Sequence, residues 1–442
     1  MSDESPDESV TGTNPPPRPS GQPRHPWVWA HQAGPATRHT TTTLVLAIVA
    51  ALLAGMIVGA GAVGLVWAVR DAAPVDGAPD RDSSDDAESA GDGQAAEDVL
   101  PGELDRLMAY VEEERGLSFT EEVEVQFLDD DAFADAWFTA PPGYEPPVGP
   151  SDYGATYAAL GLTTSPDDFY AAEQSTSLGG LMGFYDPWTD ELVVRGTEWT
   201  PMVEGTVVHE LTHALQDQHF DLTTILDGPG PEADLAARAL IEGDANRVEL
   251  AYVDDQPADW QDEYIAAWDD VRYGGPYDPL LEMIGSMPYW LGDVAITRLA
   301  EESNDHVNTA LRNPPTTSAE IVEIERFIGG ELPEVTPPDA PPAPVGARIL
   351  DEGTLGVGFL ELLHLDVQTD WFGNDYLSGW RGDRYTTWES DEGACTEVVI
   401  KLEAGTVDDA VKYFDPWVER TGGDAEQLAD GHGITLTSCA EW

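Results

Sequence analysis

The 442-residue chain holds nine histidines, and three of them, His209, His213 and His219, fall inside the segment VVHELTHALQDQHF at residues 207–220. His209 and His213 are four apart. On an α-helix that spacing puts both imidazoles on one face, within reach of a single ion. Glu210 stands between them, angled so that its carboxylate can take the proton of a water at that ion. Two neutral imidazole nitrogens with a glutamate between them are the parts of a hydrolytic zinc centre, in which Zn2+ lowers the pKa of water towards roughly 7 and Glu210 acts as general base. Val207, Val208, Leu211, Ala214 and Leu215 surround the pair, so the helix is expected to be largely buried. Buried imidazoles beside a buried carboxylate need compensation, which a cation supplies.

A third protein ligand has to come from elsewhere, and two candidates compete. His219 follows His209 by ten residues, the spacing of the H-E-x-x-H-x-x-G-x-x-H class, and SMPY at Ser286 to Tyr289 has a faint likeness to the methionine turn of that class. Gln216, however, occupies the glycine position at which such a helix breaks. In an unbroken helix His219 sits about 9 Å further along the axis than His213, so it reads as a helix-end residue. Glu242, in AARALIEGDANRVEL, is favoured: it lies among Leu240, Ile241 and Ala245, an expensive place for an unpaired carboxylate. A salt bridge from Glu242 to Arg238, one turn earlier, is the alternative. Gly243 costs up to about 1 kcal/mol relative to alanine in a helix interior, which is understandable if another helix packs closely there. Asp244 or Asn246 could orient a ligand imidazole.

Two helices must carry these groups. Thr200 followed by Pro201 is a side-chain cap followed by the residue that tolerates the first helical position, predicting a helix from Pro201 to about His219. The second helix is expected over roughly Glu232 to Val253. Upstream, GELDRLMAYVEEERG has helical spacing, EEVEVQFLD alternates like a strand and DAFADAWF reads as a short helix. LMGFYDPWTDELVVRG reads as a hairpin turning at Asp186 to Asp190. There is no internal repeat.

Charge bounds the setting. Against 84 Asp plus Glu stand 20 Lys plus Arg, a formal net charge of -64. So negative a surface repels phosphate, which excludes a generic nucleic-acid binder. Yet 41% of residues are apolar, with 14 Trp, 14 Tyr and 11 Phe, enough for a core. The surplus acid is therefore expected on a folded surface. Self-repulsion there is tolerable where molar salt screens it over roughly 3 Å, which points to a salt-adapted, halophilic protein. Cys395 and Cys439 include no CxxC pair; they are either a disulfide, worth about 4 kcal/mol in the chain-entropy picture and requiring an oxidising compartment, or two buried thiols.

The chain divides by composition. Residues 1–40 are a polar, proline-rich segment expected to be disordered. Residues 41–70 contain no charge from Thr43 to Val69 and are expected to form one transmembrane helix. Lys and Arg flank that span evenly, so the positive-inside rule is a tie; the tail is placed in the cytoplasm and the large domain outside because a short tail needs no translocation. Residues 71–99 form an acidic linker, and residues 100–442 the folded part, with a possible boundary between sub-lobes near 332–347 in a proline-rich loop.

HELTHALQDQHFDL followed by ALIEGDA resembles the gluzincin metallopeptidases, the thermolysin-like group that binds zinc through two histidines of HExxH and a downstream glutamate. It looks closest to membrane-anchored or secreted bacterial and archaeal members. The likeness extends through GFYDPWTDELVV, MPYWLGDVAITRLAEE, RNPPTTSAEIV and GWRGDRYTTWE, most of residues 100–420. It implies an α+β, zincin-like metallopeptidase domain, predominantly helical with a small sheet, preceded by the transmembrane helix. It implies Zn2+ held by His209, His213 and Glu242, Glu210 as base, and a peptide or protein substrate. The strand near Glu191 to Arg195 resembles the edge strand that pairs with an extended peptide in such enzymes. The family also uses a Tyr or His to stabilise the oxyanion; Tyr289 is the choice here, with Tyr385 and His306 as alternatives. This sequence departs from the family at Asn246, where thermolysin-like enzymes have a histidine-orienting aspartate. The expected activity is that of a membrane-anchored zinc endopeptidase; the rival is a catalytically inactive extracellular domain of the same fold with a structural or binding role. Neither natural substrate nor oligomeric state is legible.

Overall fold

The computed structural model of the chain describes residues 94–138, 153–169, 180–226, 228, 231–274, 279–332, 335–364, 377, 379–403 and 405–442. Helix α1 (Ala96–Arg115) begins a turn before Leu100, inside the stretch expected to be linker. Its start is tied into the fold: the Gln94 carbonyl accepts the Trp199 amide at 2.8 Å, and Ala96 donates to the Thr197 carbonyl at 2.9 Å. Leu100, Leu107 and Val111 recur at helical spacing and turn one face inwards.

Strand β1 (Val125–Leu128) and helix α2 (Asp130–Phe138) follow, then helix α3 (Tyr153–Ala159) and the hairpin of β2 (Gly183–Asp186) and β3 (Glu191–Arg195). The hairpin turns where DPWTD predicts, with Asp190 in the left-handed region at φ 60°. β3 lies between the other two strands, parallel to β1 and antiparallel to β2, with Gly183 opposite Val194. Both edges of Glu191–Arg195 are therefore occupied, which corrects its expected role as the edge strand. Among the described residues the outer strand against the histidine helix is β2: a Cβ on Gly183 would lie 3.0 Å from Oε1 of Glu210.

Helix α4 (Pro201–Phe220) carries HExxH and agrees with the expected span to within a residue at its end. Thr200 caps it, its hydroxyl accepting from the Val203 amide at 3.2 Å. Every residue from Val203 to Asp217 is buried, because α1, the three-stranded sheet and later helices pack on it from all sides. Helix α5 (Pro231–Asp254), bearing Glu242, crosses it. Helices α6 (Ala258–Gly274), α7 (Pro279–Glu302), α8 (Asn304–Arg312) and α9 (Ser318–Val322) belong to the same helical half. The close approach foreseen at Gly243 is made by α7: a Cβ there would lie 2.6 Å from Cα of Gly292. SMPY lies within α7, Pro288 included, and not in a turn.

Beyond residues 335–348 a second core forms. Strand β4 (Ile349–Gly353), helix α10 (Gly356–Leu362), strands β5 (Trp380–Glu389) and β6 (Gly393–Leu402), helices α11 (Val407–Tyr413) and α12 (Asp415–Thr421), and strands β7 (Asp424–Gln427) and β8 (Gly433–Glu441) make a five-stranded sheet in the order β4-β5-β6-β8-β7, with helices against it. Cys395 and Cys439 face each other across β6 and β8 and are joined in a disulfide. The sub-lobe boundary is not clean in sequence, because α3 packs on this sheet from far upstream, with Thr156 donating to Asp351 at 2.8 Å.

Two parts of the expected fold class are corrected. Among the described residues the single small sheet is two sheets, of three and five strands. The preceding transmembrane helix is not found: no helix of the described residues is long and apolar enough to cross a membrane. The segments expected as tail and span, 1–40 and 41–70, and most of the linker at 71–99, lie outside the described residues.

Candidate metal centre

His209, Glu210 and His213 project from the middle of α4, where none of the three is exposed to solvent. The imidazoles meet edge to face, centroids 4.7 Å apart. Glu242, 3% exposed on α5, reaches both: its Oε2 lies 3.3 Å from Nε2 of His209 and 3.5 Å from Nε2 of His213. Arg238, the alternative partner, instead pairs with Asp234 at 2.8 Å. Among the described residues, these three form a cluster of ligand atoms all within 4.8 Å of one another.

The donor set fits one small cation. Nitrogen and oxygen ligands about 2.0–2.2 Å from a tetrahedral centre stand about 3.3–3.5 Å apart, the spacing seen between Glu242 and the two rings. Electrostatics agree. Burial depresses the pKa of His209, but the Glu242 and Glu249 carboxylates outweigh it and lift the ring to about 10. Burial disfavours the Glu242 anion, yet the two imidazoles bring its pKa down to about 2. Burial pushes His213 down, against the pull of Glu242. A site that holds a proton this firmly between carboxylate and imidazole attracts any cation for the same reason.

Each ring is oriented through its other nitrogen. Nδ1 of His209 lies 3.2 Å from Oε2 of Glu249, and Tyr264 donates to Oε1 of that carboxylate at 2.6 Å. Gly205 makes room for them: a Cβ there would lie 2.8 Å from the Tyr264 ring. Nδ1 of His213 lies 3.0 Å from Oε1 of Gln216. Asp244, expected to orient an imidazole, acts one bond removed, accepting from Gln216 at 2.9 Å. Asn246 does not orient a ring; its buried Oδ1 has no hydrogen-bond partner among the described residues.

Glu249 and Tyr264 were not foreseen. Glu249 stands seven residues after Glu242, which a helical period of 3.6 brings back to the same face, so the signal was available. It fills the orienting role left open by Asn246. Nothing local marks Tyr264, which arrives on a separate helix.

Glu210 has no side-chain hydrogen-bond partner among the described residues. Burial raises its pKa well above the carboxylate range, opposed by His209 and by the Tyr185 backbone amide. Tyr289, on α7, brings its ring to 6.4 Å from that of His209. Burial, then the nearby Glu242 and Glu210 carboxylates, push its hydroxyl well up, so it stays protonated and able to donate. The other oxyanion candidates are engaged elsewhere: Tyr385 donates to Asp351 at 2.8 Å in the second sheet, and half-buried His306 pairs with Glu302 at 3.0 Å. His219 is at the helix end, bonded to the Ser118 carbonyl at 2.8 Å.

Comparison with protein-family models, curated proteins and solved structures finds no match to this chain.

Proposed function

We propose that this chain is a zinc-dependent endopeptidase of the gluzincin kind, with His209, His213 and Glu242 as the metal ligands. The observation that carries the reading is the convergence of three donors within 4.8 Å of one another, with Glu242, drawn from a separate helix, at tetrahedral spacing from each ring. Three protein ligands leave a coordination position for chemistry, whereas structural zinc sites are closed by four. When bound, Zn2+ supplies Lewis acidity, polarising a carbonyl and lowering the pKa of water.

The chain's own residues account for the rest. Glu210, buried with a raised proton affinity, accepts the proton of the attacking water and returns it to the leaving amine. Tyr289 donates its hydroxyl hydrogen to the oxyanion as the carbonyl becomes tetrahedral. An extended peptide lies along β2, the outer strand beside Glu210. The Cys395–Cys439 disulfide supports an oxidising compartment as the place of work.

The test is Glu210→Gln, assayed with a peptide library in concentrated salt beside metal analysis of the purified protein. The variant is expected to keep the metal and lose hydrolysis by at least about 10²-fold. Peptidase activity equal to wild type in Glu210→Gln would refute the assignment. A metal-loaded wild type that cleaves no peptide would favour a binding role instead.

A further inference from the structure

Arg115, the last residue of α1, is fully buried, and its Nε forms an ion pair with Oδ2 of equally buried Asp244 at 2.7 Å. Such a pair is a poor stabiliser, because removing both charges from water offsets most of their attraction. What it does locally is keep Asp244 an acceptor. The amide nitrogen of Gln216 donates to that carboxylate at 2.9 Å and to the Ile241 carbonyl at 3.1 Å.

Neither of those groups can donate, so the amide has one orientation: nitrogen towards α5 and oxygen towards His213. The amide oxygen lies 3.0 Å from Nδ1 of His213, so that nitrogen must carry the hydrogen. A neutral imidazole has only one N–H. Nε2 is then a bare lone pair facing Glu242, as a metal ligand requires. The reversed amide would set its oxygen against two acceptors and turn the N–H of His213 towards the metal position.

The geometry points to Arg115, Asp244 and Gln216 as a positioning relay that sets the tautomer of His213 and thereby readies the second imidazole for a metal ion. The metal consequence rests on the function proposed above; the tautomer rests on the hydrogen bonds alone. His209 is served differently, by the Glu249 carboxylate directly.

The test uses the full chain labelled with 15N-histidine, with the His213 signal identified by its loss in His213→Gln. In metal-free wild type, Nδ1 of His213 should show the protonated nitrogen shift and Nε2 the unprotonated one. Gln216→Met, which is uncharged and similar in length, should show a mixture of tautomers and bind Zn2+ about 10- to 100-fold more weakly in chelator competition, with its circular dichroism unchanged. Arg115→Met combined with Asp244→Leu, which removes the buried charges together, should fold and show the same tautomer mixture. An Nε2–H tautomer in wild type would overturn the relay, as would Gln216→Met with the wild-type tautomer and zinc affinity. If wild type binds no zinc, yet Gln216→Met scrambles the tautomer, the metal reading fails and the relay stands.

Discussion

Replacing Gly292 by alanine tests the packing on which the whole centre depends. The added Cβ would lie 1.9 Å from the Ala239 carbonyl oxygen and 2.8 Å from Cα of Gly243. Carbon against a carbonyl oxygen needs about 3.3 Å, so α5 and α7 must part by about 1.4 Å. The obstacle is backbone, which no rotamer change relieves. Overpacking of this kind costs about 1–3 kcal/mol, and for a domain of this size that lowers Tm by about 2–6 °C. The displacement falls where the chemistry is: Glu242 adjoins Gly243, and Tyr289 is one turn before Gly292. A misplacement of about 1 Å can cost about 10²-fold in rate, so kcat/KM should fall by more than the stability loss alone predicts. Gly102→Ala is the control; its Cβ meets nothing within 4 Å on an exposed turn of α1, so it should be neutral or stabilising by up to about 1 kcal/mol. Guanidinium unfolding and peptide hydrolysis of both variants decide the matter. Gly292→Ala as stable and as active as Gly102→Ala would refute the argument.

Three further outcomes are expected. His364 is buried against Tyr413 with ring centroids 3.6 Å apart, and burial, then the charge of Arg420, press its pKa down to about 4. An unfolded histidine titrates near 6.5, so its contribution is fully present above pH 6.5 and lost as pH falls through 4; His364→Phe should remove about 2–3 kcal/mol of that acid-side loss in denaturant titrations, and an unchanged slope would count against it. The Cys395–Cys439 bond closes a sequence separation of 44, so replacing both residues by serine should cost about 4 kcal/mol, and reductant should affect wild type but not the variant. At a net charge of -64, stability and activity should both decline as salt is lowered from about 1 M to about 0.1 M; equal stability in dilute buffer would show that the acidic shell is no salt adaptation.

What the sequence determined by itself is local. Capping by Thr200 and Pro201, the i,i+4 spacing of His209 and His213, and the apolar run around Glu242 depend on neighbours within a turn or two, and the helices lie where that pattern puts them. The hairpin from Leu181 to Gly196 was legible for the same reason, through alternation and a turn of five residues. Strand order was not, because alternation shows which face is buried and not which strand pairs with which; so β3, read as an edge, is central. Even Gly243 announced only that some helix comes near, while the partner at Gly292 emerged from packing. Tyr264 behind Glu249, and Arg115 behind Asp244 and Gln216, reach the centre across long stretches of chain. Their positions follow from the burial of several apolar faces at once, a condition on the folded whole that no short window of residues contains.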